Sequence, residues 1–404
     1  MPVCIYCEKE TLDKDMTLEH VIPQALGGKY APAWLKTHVC KRCNNNLGLF
    51  VDASFVKSNL ISSALQLATM ACYNPKHPIS IPLACLGETS AILPGMQKNE
   101  VCEFFLGPKG ENVYWVRPKD ERLYWYTGGN PRTTKDTPTR AYFFFSDRTN
   151  EDERASLLCF RDAFKNKQKR VRKVCGTEVE GIELKQFGFS KPDKLDQKRI
   201  AKLTQPFSDE WSFKIRQSMN MDFDVRFMAK LARGVAFCLF GNKALTGDYA
   251  NEISKGIAYQ PGSPPPEMLG SGILNQLNLD IKYVRLIGHP TGVTLALIQA
   301  SEGIVLNLNI AGRFNSTILC AEDAILTPED RLKISEGVIF VMFRPLQKTI
   351  ELSLPTYIAH KINAHTNLEL ASIEKAISQN PYSHSTANDE FNAAAYLKDQ
   401  GLSL

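Results

Sequence analysis

At 404 residues the chain is too long for one compact core and suits two or three domains. With 44% hydrophobic and 23% charged residues it has the composition of an ordinary globular protein, and no apolar run reaches the ~18 residues that would read as a membrane span. A net charge of +5 is compatible with a nucleic-acid partner without requiring one.

The first element in chain order is "CIYC", Cys4 and Cys7. "TLEHVIPQALGG" (17–28) comes next. Val21 and Ile22 favour an extended strand, Pro23 stops it, and Gly27-Gly28 make a tight bend. An ionisable pair, Glu19-His20, sits at the strand end, where a scaffold can aim side chains into a site. "WLKTHVC" forms a second strand and "CKRC" a second cysteine pair, Cys40 and Cys43. Two C-x2-C pairs separated by 32 residues predict a closed tetrahedral Cys4 site for Zn2+. No signal peptide precedes Cys4, so the expected compartment is the reducing cytoplasm, which disfavours disulfides. Cys72, Cys85, Cys102, Cys159, Cys175, Cys238 and Cys320 are scattered singly and read as reduced thiols.

After Cys43 the sequence "NNNLGLFVD" opens a helix. Taken in order, the paired cysteines, E-H-[IV]-I-P-x-x-L-G-G and C-x-x-C-N-N resemble the HNH endonuclease family, in its Cys4 subgroup, over about residues 1–58. That resemblance implies a ββα-metal fold and hydrolysis of phosphodiester bonds in DNA. It implies His20 as the general base, since a neutral imidazole near pH 7 can take a proton from water. It also implies Mg2+ or Mn2+ as a catalytic ion, held by the hard oxygens of Glu19 and Asn44, with Asn45 and Asn46 in reserve. Neighbouring strand residues point to opposite faces, so Glu19 and His20 can serve one site only if the strand ends or twists there. The family often carries an Asn just before the second knuckle. Here that region has none; His38 is the nearest candidate for that role, or else simply a solvent-facing histidine. Asp52 lies within about a quarter turn of Asn44's helix face.

Downstream, residues 52–73 read as one long helix. "AILPGMQKNEVCEFFLGPKGENVYWVRP", "RLYWYTGG" and "RAYFFF" predict a small antiparallel sheet. A helix over about 149–167 runs into "KNKQKRVRK", whose Lys165, Lys167, Lys169, Arg170, Arg172 and Lys173 could follow a phosphate backbone, or form a solvated helix end. The segment "DFDVRFMAKLARGVAFCLFGNKAL" carries an apolar stripe at Val225, Met228, Ala232, Val235 and Leu239. It reads as a core helix, with Asp222 as N-cap, Gly241 as C-cap, and Arg226, Lys230 and Arg233 on a basic flank. "YQPGSPPPEML" is a Pro-rich loop, and His289 a turn residue. "KYVRLIG", "GVTLALIQA", "GIVLNLNIAG", "GVIFVMF" and "TIELSL" predict a mixed sheet covered by the 223–240 helix.

The expected architecture is α+β: an N-terminal ββα-metal domain with Cys4 knuckles (1–58), a connecting helix with a small α+β region (59–205), and a larger mixed α+β C-terminal region (206–404). The expected activity is that of a metal-dependent HNH endonuclease acting on DNA, with no membrane association, in a setting such as restriction or phage defence. Two other readings are carried. One is an effector whose C-terminal region binds a protein or nucleotide activator and gates the nuclease. The other is a zinc-ribbon DNA-binding protein without catalysis. A homodimer is compatible with all three.

Overall fold

The structure, a computed structural model, describes residues 1–73, 80–120, 131, 137–147, 153–165, 170–177, 181–205, 211–214, 221–271, 285–380 and 393–399. It divides into two compact units. Residues 1–56, 67–72 and 220–404 form one, and 57–66 with 73–219 form the other. The N-terminal cysteine-rich segment therefore shares a unit with the C-terminal half of the chain.

In that first unit, β1 (Met16–His20) and β2 (Lys36–Cys40) form an antiparallel hairpin. Helix α1 (Lys41–Leu47) leaves directly from the second knuckle. It runs through a π-turn, Gly48–Asp52, into the short helix α2 (Ala53–Val56). After a break comes α3 (Asn59–Ala71), of which residues 59–66 belong to the second unit and 67–71 to the first. The long helix expected over 52–73 is thus interrupted at 57–58. The π-turn that precedes it inserts an extra residue and rotates the face that the next helical turn presents.

The second unit holds β3 (Ala84–Thr89), β4 (Glu100–Leu106), β5 (Asn112–Pro118), β6 (Thr139–Phe144), α4 (Glu153–Ala163), β7 (Val171–Cys175), α5 (Lys194–Leu203) and β8 (Phe213–Lys214). The six strands form one sheet in the order β7-β6-β5-β4-β3-β8. β6 and β7 are parallel, so this sheet is mixed where a purely antiparallel one was expected. The cause is α4, which lies between the two strands in the chain and gives the crossover that a parallel pair requires. Both faces of the sheet are covered. Val113, Trp115, Ala141 and Phe143 enter one cluster with Leu157 and Phe160 of α4, while Tyr114, Val116, Tyr142 and Phe144 enter another. That explains why "NVYWV" and "AYFFF" are apolar without alternation. "RLYWYTGG" lies outside the described residues.

The rest of the first unit begins with α6 (Met221–Phe240), which ends at Gly241 in the left-handed region (φ 65°), as its C-cap role requires. Met221 is already helical, so Asp222 stands in the first turn and not at the N-cap. Then come α7 (Asp248–Ala258), β9 (Gly270–Ser271), β10 (Val293–Ala300), β11 (Gly303–Ile310), β12 (Phe314–Glu322), β13 (Val338–Phe343) and β14 (Lys348–Ser353). They form a six-stranded sheet in the order β14-β13-β10-β11-β12-β9. Every pairing is antiparallel, which corrects the expected mixed sheet. Short connections at 301–302, 311–313 and 344–347 leave no room for a crossover. "KYVRLIG" adds no strand among the described residues: 285–287 is helical. Phe314–Glu322 is a strand beyond those expected from the sequence.

This sheet is also buried on both faces. Ile339, Val341 and Phe343 pack with Tyr357, Leu370 and Ile373 from the two helices after β14, Leu354–Lys361 and Leu368–Ser378. The alternate residues of β13 meet the N-terminal segment. Phe340 makes an edge contact with Trp34 at 5.7 Å between centroids, and a Cβ at Gly27 would lie 2.9 Å from that of Met342.

The Gly-Gly bend has a separate physical reason at each position. Gly27 has φ 106° and closes one short turn while opening the next. A Cβ on Gly28 would sit 1.7 Å from the carbonyl oxygen of Ile22, a backbone clash that no side-chain movement relieves. Gly28→Ala should therefore lower the unfolding midpoint by more than ordinary overpacking does, beyond about 1–3 kcal/mol. Gly48→Ala, where a Cβ meets nothing within 4 Å, should stabilise by roughly 0.5–1 kcal/mol. Thermal unfolding of the two variants side by side checks both signs.

Candidate metal centre and catalytic strand

The two knuckles converge. The sulfurs of Cys4, Cys7, Cys40 and Cys43 all lie within 4.8 Å of one another. Four thiolates around a Zn2+ at ~2.3 Å sit about 3.8 Å apart, so the cluster fits zinc with little adjustment. Local backbone builds it. Cys4 N–H donates to Lys9 O and Glu8 N–H to Cys4 O, with Glu8 left-handed at φ 57°. Cys40 N–H donates to Cys4 Sγ at 3.4 Å, and Cys40, the N-cap of α1, accepts at its Sγ from Cys43 N–H at 3.3 Å. Such N–H···S contacts favour thiolate. A hydrogen bond from Cys43, together with the backbone donors, brings Cys4 down to about 4 against the opposing effect of burial.

The hairpin places the ionisable pair. Cross-strand partners are Leu18 with His38, Glu19 with Thr37, and His20 with Lys36. By alternation His20 and His38 stand on one face, as diagonal neighbours, and Glu19 on the other. His38 is exposed and His20 half-buried. Burial, with Lys36 and Lys29 nearby, holds the His20 imidazole below its ordinary range, so it is neutral at pH 7. The strand ends immediately afterwards: Val21 and Ile22 are both fully buried, and the next segment turns.

Glu19 is 5% exposed. Its Oε1 lies 2.7 Å from Lys230 Nζ of α6, and Asp52 Oδ2 at the end of the π-turn lies 2.6 Å from the same nitrogen. Burial raises both carboxyls and the ammonium opposes it. The Lys230 ammonium also stands 5.9 Å from the centre of the Tyr6 ring in the first knuckle. Removing one partner of such a buried set leaves an uncompensated charge, at a cost of about 3–5 kcal/mol.

Asn44 is engaged differently. Its Nδ2 donates to Thr17 Oγ1 and to Leu18 O, both at 3.0 Å, which ties α1 to β1. Asn45 and Asn46 are not buried. Glu19, bound to an ammonium, is not open to a divalent ion in this arrangement, whereas Asn44 is held to the strand through Nδ2 and not through the Oδ1 that a cation would take.

Next to Lys230 on α6, Arg233 is 2% exposed and grips the first knuckle. It donates to Ile5 O, to Glu8 Oε1 at 2.6 Å and to Ser254 Oγ at 2.6 Å. A Cβ at Gly234 would lie 2.7 Å from Val21 Cγ1, so glycine lets α6 approach the end of β1. Lys230 and Arg233, expected on a basic flank of the helix, are buried and form the contact with the cysteine-rich segment. The only signal for this was their place on the same helix as a core stripe.

The basic run is not one continuous exposed face. Lys167 and Lys169 lie outside the described residues. Lys165 follows α4, whereas Arg172 and Lys173 lie on β7, and Lys173 is 2% exposed. Arg172 donates to Asp196 at 2.8 Å. Arg170 and Arg172, with Arg140 and Arg199, line a cavity of about 540 Å³ in the second unit. Arg140 is paired with Asp193 and Asp196 at 2.7 and 2.6 Å. His289 opens a turn, as expected, with Gly292 N–H donating to its carbonyl oxygen, but its side chain is 1% exposed, with Nε2 3.3 Å from Glu374 Oε1.

A hairpin and helix joined at a four-cysteine cluster, with Glu-His at the end of the first strand, define a zinc-knuckle nuclease-like segment. Residues 4–60 match the HNH endonuclease family, so the N-terminal part of this chain is an HNH domain with a Cys4 cluster. The match spans about a seventh of the chain, and a larger α+β region follows it. No curated protein and no solved structure matches the chain. Among the described residues no helix is long and apolar enough to cross a membrane.

If the cluster holds zinc, elemental analysis should find about one zinc per chain. Cys40→Ser should lose it and unfold the hairpin, because metal binding supplies folding energy here. The second unit (57–66 and 73–219), with its own core, should keep its structure. Hydrogen exchange resolved by peptide would show protection lost in 1–56 and retained over β4 to β6.

Proposed function

We propose that this protein is an HNH endonuclease that hydrolyses phosphodiester bonds in DNA, with His20 as the general base. The observation that carries the reading is the placement of His20. It stands half-buried at the end of β1, held neutral by its surroundings, on a hairpin fixed by the cysteine cluster and clamped to α1 by Asn44. A neutral imidazole there can accept a proton from a water attacking phosphorus. His38, on the same face, is a candidate to orient that water or a phosphate oxygen. Lys36 and Lys29, close enough to affect His20, supply positive charge beside the strand end, which suits a phosphate backbone.

The HNH match also supports a divalent cofactor, Mg2+ or Mn2+, with Glu19 and Asn44 as the proposed ligands. Bound, such an ion would stabilise charge on the phosphate. Since Glu19 is paired with Lys230 in the arrangement described above, no step is routed through the ion. The resemblance alone supports a setting in restriction or phage defence.

Supercoiled plasmid incubated with the purified protein and Mn2+ or Mg2+ should be nicked or linearised, and EDTA should stop the reaction. His20→Ala should cut the rate by roughly 10²–10⁴-fold while zinc content and DNA affinity stay unchanged. The His20 pKa lies below the ordinary imidazole range, so activity should hold through neutral pH and fall only on acidification below that range. His20→Ala should lack this fall. Zinc, affinity and cleavage lost together in His20→Ala would mark His20 as structural, and DNA binding without cleavage by the parent would favour a non-catalytic zinc-ribbon protein.

A further inference from the structure

The cavity of about 540 Å³ in the second unit has no part in the reaction proposed above, and its size suits a small organic ligand. Among the described residues that line it, four are arginines, Arg140, Arg170, Arg172 and Arg199, and one, Glu100, is acidic. Val116, Val171 and Leu195 give it an apolar side.

Arg140 and Arg172 are register partners on the parallel strands β6 and β7. Like charges side by side on neighbouring strands repel. Asp196, fully buried in the first turn of α5, relieves this by offering Oδ1 to Arg140 at 2.6 Å and Oδ2 to Arg172 at 2.8 Å. Asp193, the N-cap of the same helix, accepts from the same Arg140 nitrogen at 2.7 Å, and a capping box fixes the two carboxylates to each other's backbone. Arg199, further along α5, is 3% exposed and donates to Pro94 O at 2.8 Å and to Tyr142 Oη at 3.4 Å.

These contacts orient three guanidiniums without using all their donors. Arg140 Nε and Nη2, Arg172 Nη1 and Arg199 Nη2 make no hydrogen bond among the described residues. The planar fork of arginine matches the oxygens of a phosphate. A phosphate monoester near pH 7 carries about two negative charges and three acceptor oxygens, which suits several convergent guanidiniums. A phosphodiester within a strand carries a single charge and continues on both sides, so it suits an open face better than a cavity.

We propose that this cavity binds a phosphate monoester of nucleotide size, with Arg140, Arg172 and Arg199 on the phosphate and the apolar side against the organic part. Asp193 and Asp196 are positioning residues that aim the guanidiniums. The proposal is independent of the endonuclease reading, since none of the described lining residues belongs to the HNH segment.

The test uses the full chain. The phosphorus resonance of inorganic phosphate should broaden when the parent protein is added. Adenosine monophosphate should bind more tightly than inorganic phosphate and raise the unfolding midpoint, and adenosine, which lacks the phosphate, should not. Arg172→Gln removes a charged donor and should weaken phosphate binding by about tenfold or more. Gln97→Glu puts a negative charge on an exposed residue of the lining and should weaken it too. Lys198→Gln removes an exposed charge of α5 outside the cavity and should bind as the parent does. If Arg172→Gln misfolds, Gln97→Glu decides alone, because its side chain supports no part of the core. No broadening of millimolar phosphate by the parent would overturn the proposal. So would equal affinity in the parent and Gln97→Glu, or a loss in Lys198→Gln as large as in Gln97→Glu, since either means diffuse attraction to surface charge. Adenosine monophosphate that binds no better than inorganic phosphate would remove the organic part of the ligand. A terminally phosphorylated oligonucleotide that binds more tightly than adenosine monophosphate, and loses that advantage in Gln97→Glu, would overturn the small ligand in favour of a strand end.

Discussion

One ammonium shared by two buried carboxylates sits where the first strand, the π-turn and α6 meet. Burying charge is costly unless geometry and hydrogen bonding offset desolvation. Here the compensation comes from three chain segments far apart in sequence, so none of Glu19, Asp52 and Lys230 keeps its place without the other two. The orientation of β1 against α6 is set by this contact. Two neighbours on α6 reinforce it: Arg233, which holds the first knuckle through Ile5 O and Glu8, and Gly234, whose missing side chain leaves room for Val21.

The alternation of a β-strand then divides the Glu-His pair between two tasks. Glu19 turns inward to Lys230, while His20 turns to the half-exposed face with His38 and Lys36. The strand needs no distortion to do this. Adjacent residues, which motif reasoning treats as one catalytic unit, stand in different dielectric environments. Burial raises the carboxyl of one and lowers the imidazole of the other, because in each case it disfavours the charged form.

Both large sheets follow a common rule with different wiring. Each is covered on its two faces, so its central strands carry near-continuous apolar runs. Chain connectivity decides the strand directions. A helix between β6 and β7 makes that pair parallel, and short connections keep β10–β11, β11–β12 and β13–β14 antiparallel in the C-terminal sheet. Periodicity in the sequence revealed most of the strands, but not these directions, because an apolar run buried on both faces reads alike in either kind of sheet.

The cysteine spacing, the Glu-His strand end, the Gly-Gly bend and the Asn-rich helix start were legible in the sequence because each is a local requirement. A knuckle is one turn, a bend needs particular backbone angles, and Gly28 is demanded by a carbonyl only six residues away. The ring of contacts that closes around Glu19 was not legible. Lys230 is separated from it by more than two hundred residues, and on its own helix it reads as a charge beside an apolar stripe. The π-turn that aims Asp52 departs from the 3.6-residue period on which any sequence reading of a helix face depends. Residues 170–173, part of one basic run in sequence, are separated by the fold into a cavity edge and a buried strand. Local backbone chemistry therefore determined the HNH segment, whereas only the packing of distant segments could decide which of its charged groups face solvent and which face one another.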